Sequence, residues 1–244
     1  MSNDGLRVVL PVYNEGVHVR QWWEKASPFL PEDVRVLVVY DFDEDDTLPV
    51  VAELIEEGVP MEAVRNRARG VHQAILTGLL AARPHAALVS MADLSDDLGV
   101  LPDMLAQLRE GSTIVVGSRY CKGGRQEGGP WLKGQLARWG SRVLHWIAGF
   151  PVNDASNSFR LYDSRFLDEI TIETDGGFEI GFEITAKAWK AGHRVTEVPT
   201  TWYDRTAGES RFDFKRWLPK YAKLWWSCFV FGIGVRLGFV KPGA

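Results

Sequence analysis

Short apolar runs alternate with amphipathic stretches through the first half of the chain. The runs RVVLPVY, VRVLVVY, AALVSMA and TIVVGSR are predicted to be strands, because they are short, apolar and rich in β-branched residues. Between them, VHVRQWWEKA, LPVVAELIEEG and LPDMLAQLREG have the spacing of helices that bury one face. The alternation predicts a single α/β domain, with a mostly parallel sheet and helices on both faces.

Polar residues follow all four predicted strands, at the points where each strand ends. The first three lead into NEG, DFDEDDT and DLSDD, and the fourth leads into a glycine-rich segment that contains Arg119, Lys122 and Arg125. Ligands of such sheets bind at the carboxyl ends of the strands. These segments therefore predict one cleft that holds both a cation and phosphates.

Composition argues against several classes of protein. Twenty-eight basic and 32 acidic residues give the 244-residue chain a net charge of −4, so no nucleic-acid partner is expected. Cys121 and Cys228 have neither zinc nor disulfide-framework spacing, which fits a reducing cytoplasm. The chain has no P-loop, no G-x-S-x-G and no H-E-x-x-H, and it has no dinucleotide glycine motif after a strand. NTPase, dinucleotide-dependent and common hydrolase chemistries are thus disfavoured.

Six segments together resemble family 2 glycosyltransferases of the GT-A fold, and in pattern especially the dolichol-phosphate and polyprenyl-phosphate glycosyltransferases. They are the acidic end of the second strand together with PVYNE (11–15), ADLS (92–95), GSRY (117–120), NDASNSFRLY (153–162) and EVPTTWYDRTAGESRF (197–212). The resemblance implies a Rossmann-like GT-A domain over residues 1–212. It also implies inverting transfer of a sugar from a nucleoside diphosphate sugar to a polyprenyl phosphate or similar lipid-linked acceptor, with Mg²⁺ or Mn²⁺.

The resemblance assigns a nucleotide pocket to the ends of the first two strands. Pro11, Tyr13 and Glu15 are the candidates for gripping the base and ribose, with Asp41 beside them. Ordinary strand-end packing is the alternative for Pro11 and Tyr13. The remaining acids of DFDEDDT are equally compatible with a solvated turn that caps the next helix.

The segment ADLS resembles the family's D-x-D-type metal signature, with one departure. Met91 stands at the place of the first acid, where a thioether cannot bind a hard cation, and Asp93 keeps the second place. Ser95 and Asp96 are the further metal candidates, and Asp97 follows them. Capping of a helix that begins near Leu98 is the alternative for the last two acids.

On the acceptor side, the resemblance makes Asp154 the candidate catalytic carboxylate. Arg119 and Arg205 match positions that face phosphates, and a guanidinium suits this task because it forms bidentate hydrogen bonds. A phosphate acceptor is already ionised, so Asp154 could orient groups or balance charge rather than take a proton.

Basic and aromatic residues cluster in the second half of the chain. WLKGQLARWGSRVLHWI has one apolar helical face, typical of an interfacial helix or of a helix packed on a core, and residues 213–244 form a basic, aromatic C-terminal segment. We expect a cytoplasmic protein without a signal peptide, in peripheral contact with the inner membrane face. The alternatives are a soluble glycosyltransferase with a saccharide or other non-lipid acceptor and a non-catalytic nucleotide-sugar binding protein.

Overall fold

A computed structural model describes residues 5–129, 131–204 and 214–243. The nine strands are β1 Leu6–Pro11, β2 Arg35–Tyr40, β3 Met61–Arg65, β4 Ala86–Val89, β5 Ile114–Ser118, β6 Arg125–Glu127, β7 Arg160–Asp163, β8 Val195–Pro199 and β9 Thr201–Tyr203. The seven α-helices are α1 Gly16–Ala26, α2 Thr47–Glu56, α3 Val71–Ala81, α4 Leu101–Arg109, α5 Trp131–Ala148, α6 Glu179–Lys190 and α7 Phe214–Arg236. These counts refer to the described ranges alone.

Seven strands form the main sheet in the order β3-β2-β1-β4-β7-β5-β8. All neighbours are parallel except β7, which runs antiparallel to both β4 and β5. β6 and β9 form a separate parallel pair. The carboxyl ends of β1, β2, β4 and β5 therefore lie along one edge of the sheet.

Both faces of the sheet are buried, which explains why its central strands are almost uniformly apolar. Along β1, Val8 and Leu10 face a core shared with α1, α2 and α4, whereas Val9 faces a second core shared with α3, α5, α6 and α7. This alternation follows from the two-residue period of a strand. The predicted α/β architecture, with a mostly parallel sheet and helices on both faces of one domain, is confirmed.

The helices α5 and α7 form a pair on the side of the second core. Gly232 of α7 lies so close to Ala148 that a Cβ atom would collide with the Ala148 carbonyl. Further along, the Trp225 indole donates a hydrogen bond of 2.8 Å to the Gly140 carbonyl oxygen. The predicted boundary between a GT-A domain over residues 1–212 and a C-terminal segment over residues 213–244 stays a prediction. Within the described ranges, neither this pair nor any other helix combines the length and apolarity that a membrane span requires.

Candidate active site

A cavity of about 900 Å³ opens at the carboxyl ends of β4 and β5 and extends between α5 and α7. Its polar end contains Asp93, Ser95 and Arg119, and its remaining walls are largely apolar. Parallel strands bring their ends to one edge, so residues that are distant in sequence share this cavity. The cavity thus combines a charged end with an apolar wall.

Asp154 lies directly behind Arg119 and has no exposed surface. Arg119 Nε donates to Asp154 Oδ2 at 2.7 Å and Arg119 Nη2 donates to Oδ1 at 3.0 Å, which makes the pair bidentate. The backbone N–H groups of Arg119, Ser156 and Asn157 donate to the same carboxylate. Asp154 therefore already accepts several hydrogen bonds within the protein.

The Arg119–Asp154 pair fixes the charge of both groups. Burial alone would raise the pKa of Asp154, but the Arg119 charge and its hydrogen bonds hold that pKa below the ordinary value. Burial alone would lower the pKa of Arg119, whereas the Asp154 carboxylate raises it. Both groups remain ionised, and the guanidinium is held at the cavity with only 12% of its side chain exposed.

A second guanidinium contacts the same tyrosine ring as Arg119. The Arg119 and Arg138 guanidinium carbons lie 4.8 Å and 5.2 Å from the centroid of the Tyr120 ring. The Tyr120 hydroxyl donates to Gln126 Oε1 at 3.3 Å. Burial raises the pKa of this phenol to about 12, although Arg119 opposes the shift. No sequence motif marks Arg138, because only the fold brings α5 beside the end of β5.

The loop after β4 presents Met91 and Asp93 to the cavity. The Ser95 backbone N–H donates to Asp93 Oδ1 at 3.2 Å, and the Ser95 side chain is buried. Asp97 caps the 3₁₀ helix Leu98–Val100 by accepting from Gly99 N–H at 3.0 Å, so the predicted capping role is confirmed for this residue.

Asp96, the third metal candidate, turns away from this arrangement. Its Oδ2 accepts hydrogen bonds from Ser90 Oγ at 3.1 Å and from the Met91 backbone N–H at 2.9 Å. Burial raises the pKa of the Asp96 carboxyl to about 7, and these two hydrogen bonds oppose the shift. Within the described ranges, no three His, Cys, Asp or Glu side chains form a ready-made metal site.

The predicted nucleotide residues lie at the ends of β1 and β2, outside the lining of the large cavity. Pro11 is buried, whereas Tyr13 is 46% exposed, with its ring 5.2 Å from that of Phe42 in an edge-to-face contact. The Glu15 carboxylate pairs with His18 Nδ1 at 2.6 Å. Tyr13 therefore presents an aromatic surface at this end of the sheet.

Asp41 joins two loops at the same end of the sheet. It accepts from Asn66 Nδ2 at 2.6 Å and from the Gly70 backbone N–H at 2.8 Å. Gly70 has φ +93°, a left-handed conformation that favours glycine. The contacts of Asp41 fix the loop between β3 and α3 beside the end of β2.

An exposed aromatic surface adjoins the cavity. Its residues on α5 and α7 are Leu136, Trp139, Trp146, Ile147 and Trp226, which are between 47% and 62% exposed. Leu136 and Trp226 also line the cavity, so the cavity opens onto this surface. The predicted apolar stripe of α5 is therefore exposed over Leu136, Trp139 and Ile147, and the helix packs on the core through other residues, such as Leu144.

The structure thus gathers some of the predicted site residues and separates others. Asp93, Ser95 and Arg119 share one cavity, with Asp154 behind them. Pro11, Tyr13, Glu15 and Asp41 lie at neighbouring strand ends, and Asp96 points into the protein. Arg205 falls outside the described residues. Trp202, Tyr221 and Trp225 also line the cavity, although none of the three was predicted as a site residue.

Comparison with known proteins gives a family match over most of the chain. The model described as glycosyl transferase family 2 matches residues 7–171. A dolichol-phosphate mannosyltransferase of Pyrococcus furiosus is 27% identical over 213 residues, which are 85% of this chain and 59% of that protein. The chain therefore spans less than two thirds of this relative.

Two solved structures are similar in fold. Glucosyl-3-phosphoglycerate synthase from Mycobacterium tuberculosis, in complex with UDP, has a TM-score of 0.66 at 17% identity, over 92% of this chain and 80% of that one. A mannosyltransferase from Pyrobaculum calidifontis, in complex with GDP-Man and Mn²⁺, has a TM-score of 0.63 at 17% identity, over 98% of this chain and 66% of that one. At 17% identity, these two similarities are evidence for a shared fold alone.

Proposed function

Because the chain belongs to glycosyl transferase family 2, we propose that it transfers a sugar from a nucleoside diphosphate sugar to a polyprenyl phosphate or similar lipid-linked phosphate. The chain is a glycosyltransferase with the GT-A fold, and what we propose is the identity of its donor and of its acceptor. The observation that supports the acceptor is the cavity itself, in which Arg119 stands at the end of a largely apolar space between α5 and α7. A phosphate head and a hydrocarbon tail match these two parts.

On the acceptor side, Arg119 supplies the positive charge. The Arg119 guanidinium is held by two hydrogen bonds to Asp154, so little side-chain freedom is lost when a phosphate binds. A phosphate oxygen is already ionised and needs no general base to attack the sugar. We assign Asp154 the role of positioning Arg119, because the carboxylate is fully buried and already accepts several hydrogen bonds. Arg138, over the same Tyr120 ring, adds positive charge nearby.

On the donor side, we assign the base to the surface formed by Tyr13 and Phe42, and the diphosphate to the region of Asp93. Asp93 is an oxygen donor of the type that Mg²⁺ and Mn²⁺ accept, and it would hold the ion against the diphosphate. When bound, the ion would neutralise charge that develops on the leaving diphosphate. The Mn²⁺ and GDP-Man in the Pyrobaculum calidifontis structure support this assignment for a shared fold.

We further propose that the aromatic surface on α5 and α7 contacts the membrane that holds the acceptor. The surface borders the cavity through Leu136 and Trp226, so a lipid could enter from a bilayer without crossing water. Arg142 lies with its guanidinium carbon 5.7 Å from the centroid of the Trp146 ring, and Lys223 is exposed nearby on α7. Basic groups beside aromatic rings favour an anionic membrane surface.

The test is a transfer assay with the purified 244-residue chain. Radiolabelled UDP- and GDP-sugars are incubated with Mg²⁺ or Mn²⁺ and either polyprenyl phosphate or water-soluble saccharides. We expect label in the organic phase only when polyprenyl phosphate is present. No transfer with any donor, or transfer only to water-soluble acceptors, would contradict the proposal.

A further inference from the structure

The small sheet formed by β6 and β9 supplies one wall of the cavity. Gln126 and Trp202 lie directly opposite each other in its register, and both line the cavity. Side chains alternate between the two faces of a strand, so the exposed neighbours Glu127 and Tyr203 belong to the other face of this sheet. The cavity therefore receives a carboxamide and an indole ring as a cross-strand pair.

Contacts with neighbouring residues restrict both side chains. Gln126 Oε1 accepts a hydrogen bond of 3.3 Å from the Tyr120 hydroxyl. Gly129 lies against the Trp202 ring, where an added Cβ atom would be 3.3 Å from an indole carbon. Asp204 in turn fixes Gly129, because its Oδ2 accepts from the Gly129 backbone N–H at 3.0 Å. The pair is thus held in place before any ligand binds.

Gln126 can also offer a hydrogen-bond donor to a ligand. A carboxamide carries two N–H groups on one nitrogen. In Gln126, Nε2 donates to the Gly128 carbonyl oxygen at 3.4 Å, which uses one of them. The second N–H can serve a ligand in the cavity.

This wall stands between the two ends of the proposed reaction. On one side, the Tyr203 backbone N–H donates to the Ser95 carbonyl oxygen at 3.0 Å, which ties β9 to the loop that carries Asp93. On the other side, the tyrosine that bonds to Gln126 directly follows Arg119 in the chain. The geometry therefore places the pair beside the space between the region assigned to the diphosphate and the guanidinium assigned to the acceptor phosphate.

We infer that Gln126 and Trp202 form the subsite that recognises the transferred sugar of a nucleoside diphosphate hexose. The Gln126 amide donates to a ring hydroxyl, and the Trp202 ring packs against C–H groups of the sugar. This inference rests on the proposed function, with inversion at the transferred carbon. In an inverting reaction the attacking oxygen and the leaving group lie on opposite faces of the sugar ring, so the sugar occupies the space between the two phosphate regions.

Such a subsite should select between sugars that differ in the direction of one hydroxyl. Because the Tyr120 hydroxyl holds the Gln126 carboxamide, the amide cannot follow a hydroxyl that points the other way. The wrong epimer then leaves an N–H group in the cavity without its partner, which weakens binding. We expect a preference of at least about tenfold between epimers, since sites built to bond a substrate hydroxyl discriminate strongly.

The experiment measures binding to the 244-residue chain by calorimetry, with Mn²⁺ present throughout. The probes are UDP and GDP, the epimer pair UDP-glucose and UDP-galactose, and the epimer pair GDP-mannose and GDP-glucose. We expect the wild type to prefer one member of at least one pair by at least about tenfold. Q126L should remove most of this preference, and W202A should weaken binding of the preferred sugar nucleotide by about tenfold. Neither variant should change the affinity for UDP or GDP.

Further variants of the same two strands separate the subsite from the fold around it. W202F keeps an aromatic ring and should retain more affinity than W202A does. E127Q and Y203F alter the other face of the sheet and should bind every probe like the wild type.

The inference is overturned if the wild type binds both members of each pair equally, if Q126L keeps the wild-type preference, or if W202A binds sugar nucleotides as the wild type does. An effect of E127Q as large as that of Q126L would overturn it as well. In each of these cases, binding of UDP or GDP would leave the proposed function intact. Absence of nucleotide binding under every condition would contradict the proposed function together with this inference.

Discussion

Arg119 and Asp154 form a bidentate ion pair at the polar end of the cavity, with N···O distances of 2.7 and 3.0 Å. Asp154 is fully buried, and the Arg119 side chain keeps 12% of its surface exposed. The buried carboxylate therefore orients a guanidinium that can still reach a ligand. The two residues are 35 positions apart in sequence. The antiparallel strand β7 begins a few residues after Asp154.

Removing both members of this pair should cost less than the sum of the two single removals. D154N leaves the Arg119 charge without its partner, and breaking a buried ion pair in this way typically costs about 3–5 kcal/mol. We expect the free energy of unfolding in urea to fall by about that amount for D154N, and the R119Q/D154N double variant to lose less than the sum of the two single variants. Additive losses would show that the two side chains do not interact.

Much of the fold and part of the site could be predicted because their signals are local. Apolar runs and the polar residues after them mark the ends of β1, β2, β4 and β5. By contrast, the edge strand β3 is largely exposed and lacks such a run, and β7, with the sequence RLYD, begins and ends on a charged residue. Pairings across the fold, such as Arg138 with Tyr120, have no sequence spacing that could reveal them.

The orientation of individual acids was also beyond the sequence. Asp93 and Asp96 are three positions apart, yet one faces the cavity and the other points back to Ser90. Leu94 lies between them and has φ +63°, a left-handed backbone conformation that is uncommon for leucine and that the sequence does not indicate. A sequence motif treats Asp93 and Asp96 as equivalent. In the fold, an unusual backbone conformation lies between them and their side chains point in different directions.

Asp41 should support nucleotide binding indirectly. D41A removes the acceptor for Asn66 and Gly70 and so releases the loop between β3 and α3. We expect a lower melting temperature and weaker binding of UDP or GDP by calorimetry, because the loop must then be ordered on binding. D43A is a matched control, since Asp43 pairs with the exposed Arg65 on the surface. Equal effects of the two variants would contradict a special role for Asp41.

His72 should make stability depend on pH in the mildly acidic range. It is 2% exposed, with Nε2 3.0 Å from Thr174 Oγ1. Burial lowers the pKa of His72, although Glu179, Glu183 and Asp175 oppose the shift. The unfolded chain therefore binds more protons as pH falls below about 6.5, so stability is full above that pH and declines until the lower folded-state pKa is passed.

The variant H72Q should flatten this dependence. Urea unfolding at about pH 7.5 and about pH 5.5 brackets the range in which an ordinary histidine titrates. We expect the wild type to lose more stability than H72Q between the two conditions. An equal loss in both proteins would show that His72 does not account for the effect.

The cavity between α5 and α7 should select acceptors by the length of their hydrocarbon chain. Ala222 lines it from α7, and A222W would fill part of the space with an indole ring. We expect KM for a long-chain polyprenyl phosphate to rise by at least about tenfold, because the chain loses apolar contacts in the cavity. A short prenyl phosphate serves as the control acceptor and should be affected much less. A similar rise in KM for both acceptors would show that the long hydrocarbon chain does not bind in this cavity.

The aromatic surface on α5 and α7 should be needed for binding to anionic membranes. Trp139 and Trp146 are 58% and 60% exposed, so replacing both with Glu removes apolar contact and adds negative charge without opening a core. In co-sedimentation with phosphatidylglycerol-containing vesicles, W139E/W146E should bind at least about tenfold more weakly than the wild type. Salt should also weaken wild-type binding, because basic groups contribute to it. I55E alters an exposed apolar residue on α2 and should bind like the wild type. Absence of wild-type binding, or an equal loss with I55E, would show that this surface is not what meets the lipid.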